Sequence, residues 1–340
     1  VLDFDFSDAQ LLTLLAHDTD PFNRWEAAQR LAMRSALTAI HDTQRATGAP
    51  VLAPAFIDAM REVLRHPQLD AAFKELVLTL PAEGYIAEQL DVVDPQRVHA
   101  VRESMRLQLA TSLVDEWQQV YEDNRDTGAY SPDPASAGRR ALAGMALTQL
   151  CLAARENGDA VWPGKTLQRF KDAGNMTDRF NALSALVVSG HPLAQQALAR
   201  FHAMFKGEAL VIDKWFALQA GAPDRGGDVL PLVRQLMKHP DFSIKNPNRA
   251  RSVIFSYCSA NPGAFHRPDA AGYVWWSERV MELDAVNPQV AARLARAMDR
   301  WSKLAEPYRT AAREAIARVA AKPDLSKDTL EVVTRALTAS

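Results

Sequence analysis

Apolar residues recur every three or four positions along almost the whole chain, which is the period of an α-helix that buries one face. The longest such series predicts one helix of about six turns or more and comprises Val98, Val101, Met105, Leu109, Leu113, Trp117 and Val120. Nowhere does strict alternation of apolar and polar residues combine with β-branched enrichment between turn signals, so no sheet is predicted. The pattern therefore predicts an all-α protein.

Side chains that can cap a first helical turn mark the predicted helix starts. Ser7 and Gln10 have the spacing of a capping box, in which hydroxyl and amide satisfy free backbone N–H groups. Four other starts place Asp or Asn directly before a proline at the first helical position, namely Asp20-Pro21, Asp94-Pro95, Asn246-Pro247 and Asn287-Pro288. Recurring starts of one kind indicate repeated helical units.

The helix starts become regular beyond about residue 160. They fall near Asn175, Ile212, Asn246 and Asn287, at intervals of roughly 35 to 40 residues, which is the period of a helix-pair solenoid. We therefore expect an irregular helix-pair superhelix, an ARM/HEAT-like α-solenoid, whose N-terminal part is more bundle-like because its helices are longer. The chain is interpreted as a single domain over 1–340, with a possible soft division in the turn-rich segment 123–134.

Composition excludes several classes of protein. The 39 basic and 41 acidic residues give a net charge of −2, so no overall field favours nucleic acid or an anionic membrane as a partner. The longest strongly apolar stretch, 141–154, is too short to span a bilayer. The first residues are acidic rather than basic, which is unlike a signal peptide, and we expect a cytoplasmic protein with buried free thiols at Cys151 and Cys258.

The sequence contains no recognisable catalytic constellation. None of the eight histidines has a second histidine at the i, i+4 spacing of a zinc helix, so each is interpreted as isolated. His66, His191 and His239 each precede a proline and are interpreted as solvent-facing turn residues. Glycine-rich phosphate loops and nucleophile elbows are also absent from the sequence. We predict no catalytic residue and no metal ligand in this chain.

Arginines cluster after two of the proline-started helices. Arg249 and Arg251 follow Asn246-Pro247, and the second group comprises Arg293, Arg296 and Arg300. From the pattern alone a solvated basic face is the favoured interpretation. The alternative is a lining that holds carboxylates or peptide carbonyls through charge-assisted hydrogen bonds.

Eight short strings together resemble the C-terminal helical domain of the bacterial aminopeptidase N family, which are alanyl aminopeptidases and zinc metallopeptidases of the gluzincin type. They occur in the family's order and span essentially the whole chain. The strings are FNRWEAAQ (22–29), LTLP (78–81), NMTD (175–178), DKWF (213–216), NPNRAR (246–251), NPGAFH (261–266), GY (272–273) and NPQVA (287–291).

The resemblance implies an accessory role. In the family this domain caps the catalytic domain, closes a chamber and limits access to peptide ends or short peptides. The family's zinc motif, His-Glu-x-x-His, and its Gly-x-Met-Glu-Asn motif are both missing here, since Gly144-Met145 lacks the Glu-Asn. We therefore expect a piece of a longer polypeptide, inactive alone, which fits a chain that starts at valine. Its expected partners are the zinc-containing catalytic domain of the same polypeptide and peptide substrates, without nucleic acid or membrane, and no cofactor is expected in this chain.

The resemblance also assigns substrate-binding residues. Matching positions are Arg251 in the Asn-Pro-Asn-Arg-x-Arg string, and Gln289 and Arg293 in the Asn-Pro-Gln-Val-Ala-x-Arg string. These side chains are expected to contact the part of the peptide that leads away from the scissile bond. Arg249, Arg296 and Arg300 keep the interpretation of solvated residues.

Two other hypotheses stay open. The chain could be a free-standing helical-repeat module that binds peptides or proteins on a concave face, as such arrays commonly do. It could also be an unrecognised enzyme, although no spacing of nucleophile, base or metal ligands supports this. An upstream reading frame that contains His-Glu-x-x-His would favour the accessory domain.

Overall fold

The computed structural model describes residues 4–46, 48–125 and 128–338, and within these ranges the regular elements are helices. The one β-bridge found in the described chain pairs Val93 with Leu304. The all-α prediction is therefore confirmed. Among the described residues, no helix combines the length and apolar character needed to cross a membrane.

The helices are numbered in chain order. The earlier ones are α1 (Asp8–His17), α2 (Pro21–His41), α3 (Pro54–Arg65), α4 (Ala71–Leu78), α5 (Glu83–Glu88), α6 (Pro95–Ser112), α7 (Val114–Asp123), α8 (Pro134–Asn157), α9 (Val161–Asp172), α10 (Met176–Ser189) and α11 (Leu193–Phe205). The later ones are α12 (Ala209–Ala220), α13 (Val229–Leu236), α14 (Pro247–Ala250), a π-helix (Arg251–Phe255), α15 (Ser256–Cys258), α16 (Pro262–Phe265), α17 (Ala271–Asp284), α18 (Pro288–Ala295), two 3₁₀ turns (Arg296–Met298 and Trp301–Lys303), α19 (Tyr308–Ala320) and α20 (Lys327–Thr338).

The chain divides into two compact units. The first comprises residues up to 86 together with 100–198, and the second comprises 87–99 together with the residues from 199 onward. The segment 123–134, where a soft division was expected, lies inside the first unit between α7 and α8, and its residues 126 and 127 lie outside the described ranges. The assignment of 1–340 as one domain stays a prediction.

The predicted caps are present at the helix starts. Ser7 and Gln10 form the capping box of α1. The side chains of Asp20, Asn175, Asn246 and Asn287 each accept a hydrogen bond from a first-turn amide of α2, α10, α14 and α18. Because these side chains satisfy amides that a helix leaves free, local sequence fixes where the helices begin.

The first unit is organised around α8, the longest of its helices at 24 residues. This helix packs against α4, α7, α9 and α10. The close approach of α4 needs a glycine, because a Cβ on Gly138 would lie 2.9 Å from the Cβ of Ala72. Cys151, which is also on α8, is a buried free thiol, and burial raises its pKa to about 11. Cys258 in the second unit is a buried free thiol as well.

The long helix predicted over 98–120 is interrupted. Every residue of its apolar series is buried, but α6 ends at Ser112 and α7 begins at Val114. Between them Leu113 leaves helical geometry, with φ −124° and ψ 31°. The indole of Trp117 donates instead to the carbonyl of Leu109 (3.1 Å), a carbonyl that an uninterrupted helix would pair with the Leu113 amide. The apolar period predicted the buried face and missed this break.

Two of the strings that resemble the aminopeptidase N family lie in the core of the second unit. The side-chain amide of Asn261 donates to the carbonyls of Ala220 (3.2 Å) and Ala222 (2.7 Å). His266 is hydrogen-bonded through Nδ1 to the hydroxyl of Tyr273 at 2.7 Å, and burial lowers the pKa of this histidine to about 4. Asn261 thus binds the backbone at the end of α12, and His266, the residue after α16, is joined to a side chain of α17, which is a structural role.

A buried carboxylate joins α17 to the start of α20. Asp284 is 4% exposed and accepts hydrogen bonds from the Ser326 amide (2.8 Å), the Ser326 hydroxyl (2.5 Å) and the Thr329 hydroxyl (2.6 Å). Burial alone would raise the pKa of Asp284, but the hydrogen bonds to Ser326 and Thr329 outweigh it and the net pKa is lowered. The ionised form is thus the one that the fold stabilises.

We predict that Asp284→Asn lowers the free energy of unfolding by about 2 kcal/mol at pH 7, because hydrogen bonds to a charged group are lost. The folded-state pKa lies below the unfolded one, so this stabilisation is complete above the unfolded pKa of about 3.9 and disappears as the pH falls through the folded pKa. Urea unfolding followed by tryptophan fluorescence at pH 7 and at decreasing pH below about 4 measures both effects.

The matched control is Asp299→Asn, because Asp299 pairs only with the exposed Arg296 among the described residues. The loss of this exposed ion pair should change the free energy of unfolding by less than about 0.5 kcal/mol. Equal stabilities of the two variants at pH 7 would contradict the role given to the Asp284 carboxylate.

Candidate functional site

Arg249 is a buried connector in the second unit, which corrects its interpretation as a solvated residue. Its side chain is only 7% exposed. Nε donates to a carboxylate oxygen of Asp213 at 2.5 Å, and the guanidinium carbon lies 5.0 Å from the ring centroid of Phe216. The guanidinium also donates to the backbone carbonyls of Ala209 and Asp241. Sequence reasoning missed this because Asp213 is 36 residues away.

Arg251 differs sharply from Arg249, two residues before it. It is exposed and is the first residue of the π-helix Arg251–Phe255. Within the described ranges, its side chain has no hydrogen-bond or ion-pair partner. Short π-helical stretches are rare and occur frequently at functional sites. A guanidinium in this position is available to a ligand.

Gln289 and Arg293 lie on α18, one helical turn apart, and are both exposed. The other face of this helix is buried through Val290, Ala291 and Leu294. Positions i and i+4 are neighbours on a helix surface, so the amide and the guanidinium share one face. Among the residues that the structure describes, neither side chain has a polar partner.

The structure brings Gln289 and Arg293 together, whereas Arg251 lies on another element. α18 packs mainly against α17 and α20, and the π-helix packs mainly against α12 and α14. Arg296 and Arg300 are exposed and paired with Asp299 (3.0 Å) and Glu88 (2.7 Å). For these two residues the interpretation as solvated arginines is confirmed.

The three histidines that precede prolines share one turn geometry. Nδ1 accepts a hydrogen bond from the amide two residues later, from Gln68 to His66 (3.2 Å), from Leu193 to His191 (3.2 Å) and from Asp241 to His239 (3.1 Å). Proline has no N–H, so the following amide is the first donor available to the ring. A backbone amide can only donate, and Nδ1 is therefore the unprotonated nitrogen in each of these turns.

His239 is not the isolated, solvent-facing residue that the sequence predicted. Its ring centroid lies 5.0 Å from that of His202 on α11 and 5.3 Å from that of Trp215 on α12. Asp241 completes a group that we call the histidine cluster (His202, His239 and Asp241). Its carboxylate oxygen Oδ2 lies 2.6 Å from Nε2 of His202 and 3.9 Å from Nδ1 of His239.

The electrostatics of the histidine cluster favour a neutral imidazole beside an ionised carboxylate. Burial lowers the pKa of His239, and the hydrogen bond from His202 lowers the pKa of Asp241. Sequence inspection could find only the His-Pro-Asp turn, because His202 is 39 residues from Asp241 and meets it only after folding.

The histidine cluster does not have the form of an aminopeptidase zinc site. Such sites take two histidines at i, i+4 on one helix with a glutamate between them as base. Here one histidine comes from α11 and the other from the turn after α13. The catalytic zinc that the resemblance implies is therefore not assigned to this chain, and no catalytic step is derived from it.

Comparison with known proteins agrees with this architecture. Residues 8–338 match the family described as "Domain of unknown function (DUF3458_C) ARM repeats". The chain belongs to this family. The ARM-repeat description of the DUF3458_C family agrees with the predicted helix-pair solenoid.

Relatives of this DUF3458_C chain include two aminopeptidases N. The chain is 36% identical to that of Caulobacter vibrioides over 338 residues, and 34% identical to that of Escherichia coli over 337 residues. Each match covers 99% of this chain and 38% of the relative. The resemblance to the C-terminal domain of aminopeptidase N is thereby confirmed.

A solved structure is also similar, that of Legionella pneumophila aminopeptidase A in complex with aspartic acid. Its TM-score is 0.85 at 25% identity, and the match covers 99% of this chain and 39% of the other. The DUF3458_C chain thus spans about two fifths of the proteins that it matches. It corresponds to one part of these aminopeptidases.

We predict that Arg249→Ala destabilises the chain by about 3 to 5 kcal/mol, because Asp213 would be left as a largely buried, unpaired charge. Arg251→Ala, two residues later and exposed, should cost less than about 0.5 kcal/mol. Urea unfolding of the two variants beside the unaltered chain measures this contrast. A loss of similar size in both variants would show that Arg251 is also part of the packing.

Proposed function

We propose that this chain is the C-terminal accessory domain of a zinc aminopeptidase, which removes N-terminal amino acids from peptides. The observation that supports this most is the extent of the similarity to aminopeptidases N, which covers 99% of this chain but only 38% of each relative. The rest of such an enzyme would supply the catalytic domain. In this role the chain caps the catalytic chamber and restricts the substrates that enter it.

We also propose that Arg251, Gln289 and Arg293 contact the distal part of the bound peptide. Support comes from their exposure and from the absence of polar partners for all three among the described residues. A guanidinium presents several donors in a fixed plane, which suits peptide carbonyls or a terminal carboxylate. The Gln289 amide can donate to a peptide carbonyl and accept from a peptide N–H.

The free thiols of Cys151 and Cys258 support a cytoplasmic location.

The distance of these side chains from the reaction determines what they can do. In a zinc aminopeptidase the metal polarises the scissile carbonyl and activates water. A side chain that binds the peptide several residues away contacts the substrate and the transition state alike. Such uniform binding lowers KM and leaves kcat almost unchanged. The effect should also appear only with substrates long enough to reach the side chain.

We predict that Arg293→Ala, made in the complete enzyme, raises KM for tri- and tetrapeptides about tenfold. It should hardly change KM for a chromogenic amide of a single amino acid, which cannot reach Arg293. Steady-state kinetics on both substrate classes, with kcat and KM determined separately, measures this difference.

Arg296→Ala is the matched control, because Arg296 is exposed three residues later and already paired with Asp299. It should leave both substrate classes unaffected. If Arg293→Ala impairs the amide and the peptides equally, Arg293 does not read the distal part of the peptide.

A further inference from the structure

We propose that the histidine cluster (His202, His239 and Asp241) binds one divalent transition-metal ion of the zinc type. The ion would tie the C-terminal end of α11 to the turn after α13. This departs from the sequence-based expectation that the chain holds no metal. It does not depend on the proposed function, because every ligand and both elements belong to this chain.

The donor atoms are arranged closely enough for one ion. One ligand atom from each of the three residues lies within 4.8 Å of the others. Donors around a tetrahedral zinc ion are about 3.3 Å apart, given bond lengths of about 2.0 to 2.1 Å. The observed separations of 2.6 Å and 3.9 Å lie on either side of this value. Small rotations of three partly exposed side chains therefore suffice.

The turn at His239 prepares one nitrogen for coordination. The Asp241 amide fixes Nδ1 as the unprotonated nitrogen, and this atom is the one that lies 3.9 Å from the Asp241 carboxylate. A metal ion bound to Nδ1 of His239 would take the place of the hydrogen bond from the Asp241 amide. It would also take the place of the proton between Nε2 of His202 and Oδ2 of Asp241, and the His202 ring would then carry its proton on Nδ1.

Neighbouring residues restrict the movement of the ligands. The Asp241 backbone carbonyl is held by Arg249, whose guanidinium is also paired with Asp213. The Trp215 ring lies against both imidazoles, at centroid distances of 5.0 Å from His202 and 5.3 Å from His239. The positive charge of Arg249 is close enough to the cluster to repel a bound metal ion. The ion pair between Arg249 and Asp213 offsets this repulsion.

The ligand set indicates the class of ion. Two imidazole nitrogens and one carboxylate oxygen suit zinc, cobalt, nickel or copper better than magnesium or calcium, which prefer all-oxygen ligands. Three protein ligands leave a coordination position for water. Within the described ranges, the turns of His66 and His191 have the same amide hydrogen bond but no such three-residue group.

The test is titration of the metal-free 340-residue chain with zinc chloride and with cobalt chloride. We expect one ion per chain by calorimetry, a cobalt spectrum typical of nitrogen and oxygen ligands, and an increased melting temperature. Nickel should quench the fluorescence of Trp215, one of seven tryptophans, and Trp215→Phe should remove that part of the quenching.

Ligand variants decide whether the cluster is the site. His202→Gln and His239→Gln should each weaken zinc binding by more than about tenfold. His191→Gln, which removes the same turn hydrogen bond elsewhere, should bind zinc as the unaltered chain does. Circular dichroism checks that each variant is folded, and the cobalt spectrum of the unaltered chain tests the site without any substitution. Absence of saturable binding, or undiminished binding after both ligand substitutions, would overturn the proposal.

Discussion

The second unit depends on one buried cation. The Arg249 guanidinium holds the Asp213 carboxylate and the Phe216 ring of α12, and it also binds the backbone of the turn at Asp241. A charge in this position is tolerated only because a carboxylate and several acceptors surround it. The Arg249 side chain is connected to two features. It binds the backbone of the His-Pro-Asp turn, and the exposed Arg251 follows it by two residues. The same interaction therefore organises the histidine cluster and lies two residues before the exposed guanidinium of Arg251.

Several of the strings that resemble aminopeptidase N have a structural explanation here. The Asp213 and Phe216 string supplies the partners of Arg249, and the Asn261 amide donates to two carbonyls at the C-terminal end of α12. Asn175 caps α10, and Asp178 pairs with Arg169 at 2.7 Å. These residues determine helix ends and helix packing. The resemblance is accordingly good evidence for the fold, while the substrate contacts that we propose involve exposed residues in or next to two of these strings.

The sequence predicted those features that depend on residues close together in the chain. Caps such as Asn246 and Asn287 act within one turn, and apolar periodicity identifies a buried face, so helix starts and core residues could be predicted. The break at Leu113 was missed because periodicity continues through it. The burial of Arg249 and the meeting of His202 with His239 were missed because their partners are more than thirty residues away. Such pairs are set by packing between helices, which a single sequence does not display.

The π-helix after Ala250 has a consequence for how insertions act in this chain. A π-turn holds one residue more than an α-turn, so this segment has the geometry of a helix that has absorbed a single-residue insertion. Each residue turns an α-helix by about 100°. Removing Ser252 would leave one residue fewer between Arg251 and the buried Val253 and Ile254, and would therefore change the direction in which Arg251 points relative to them. The direction in which Arg251 points is therefore a matter of residue count as much as of residue identity.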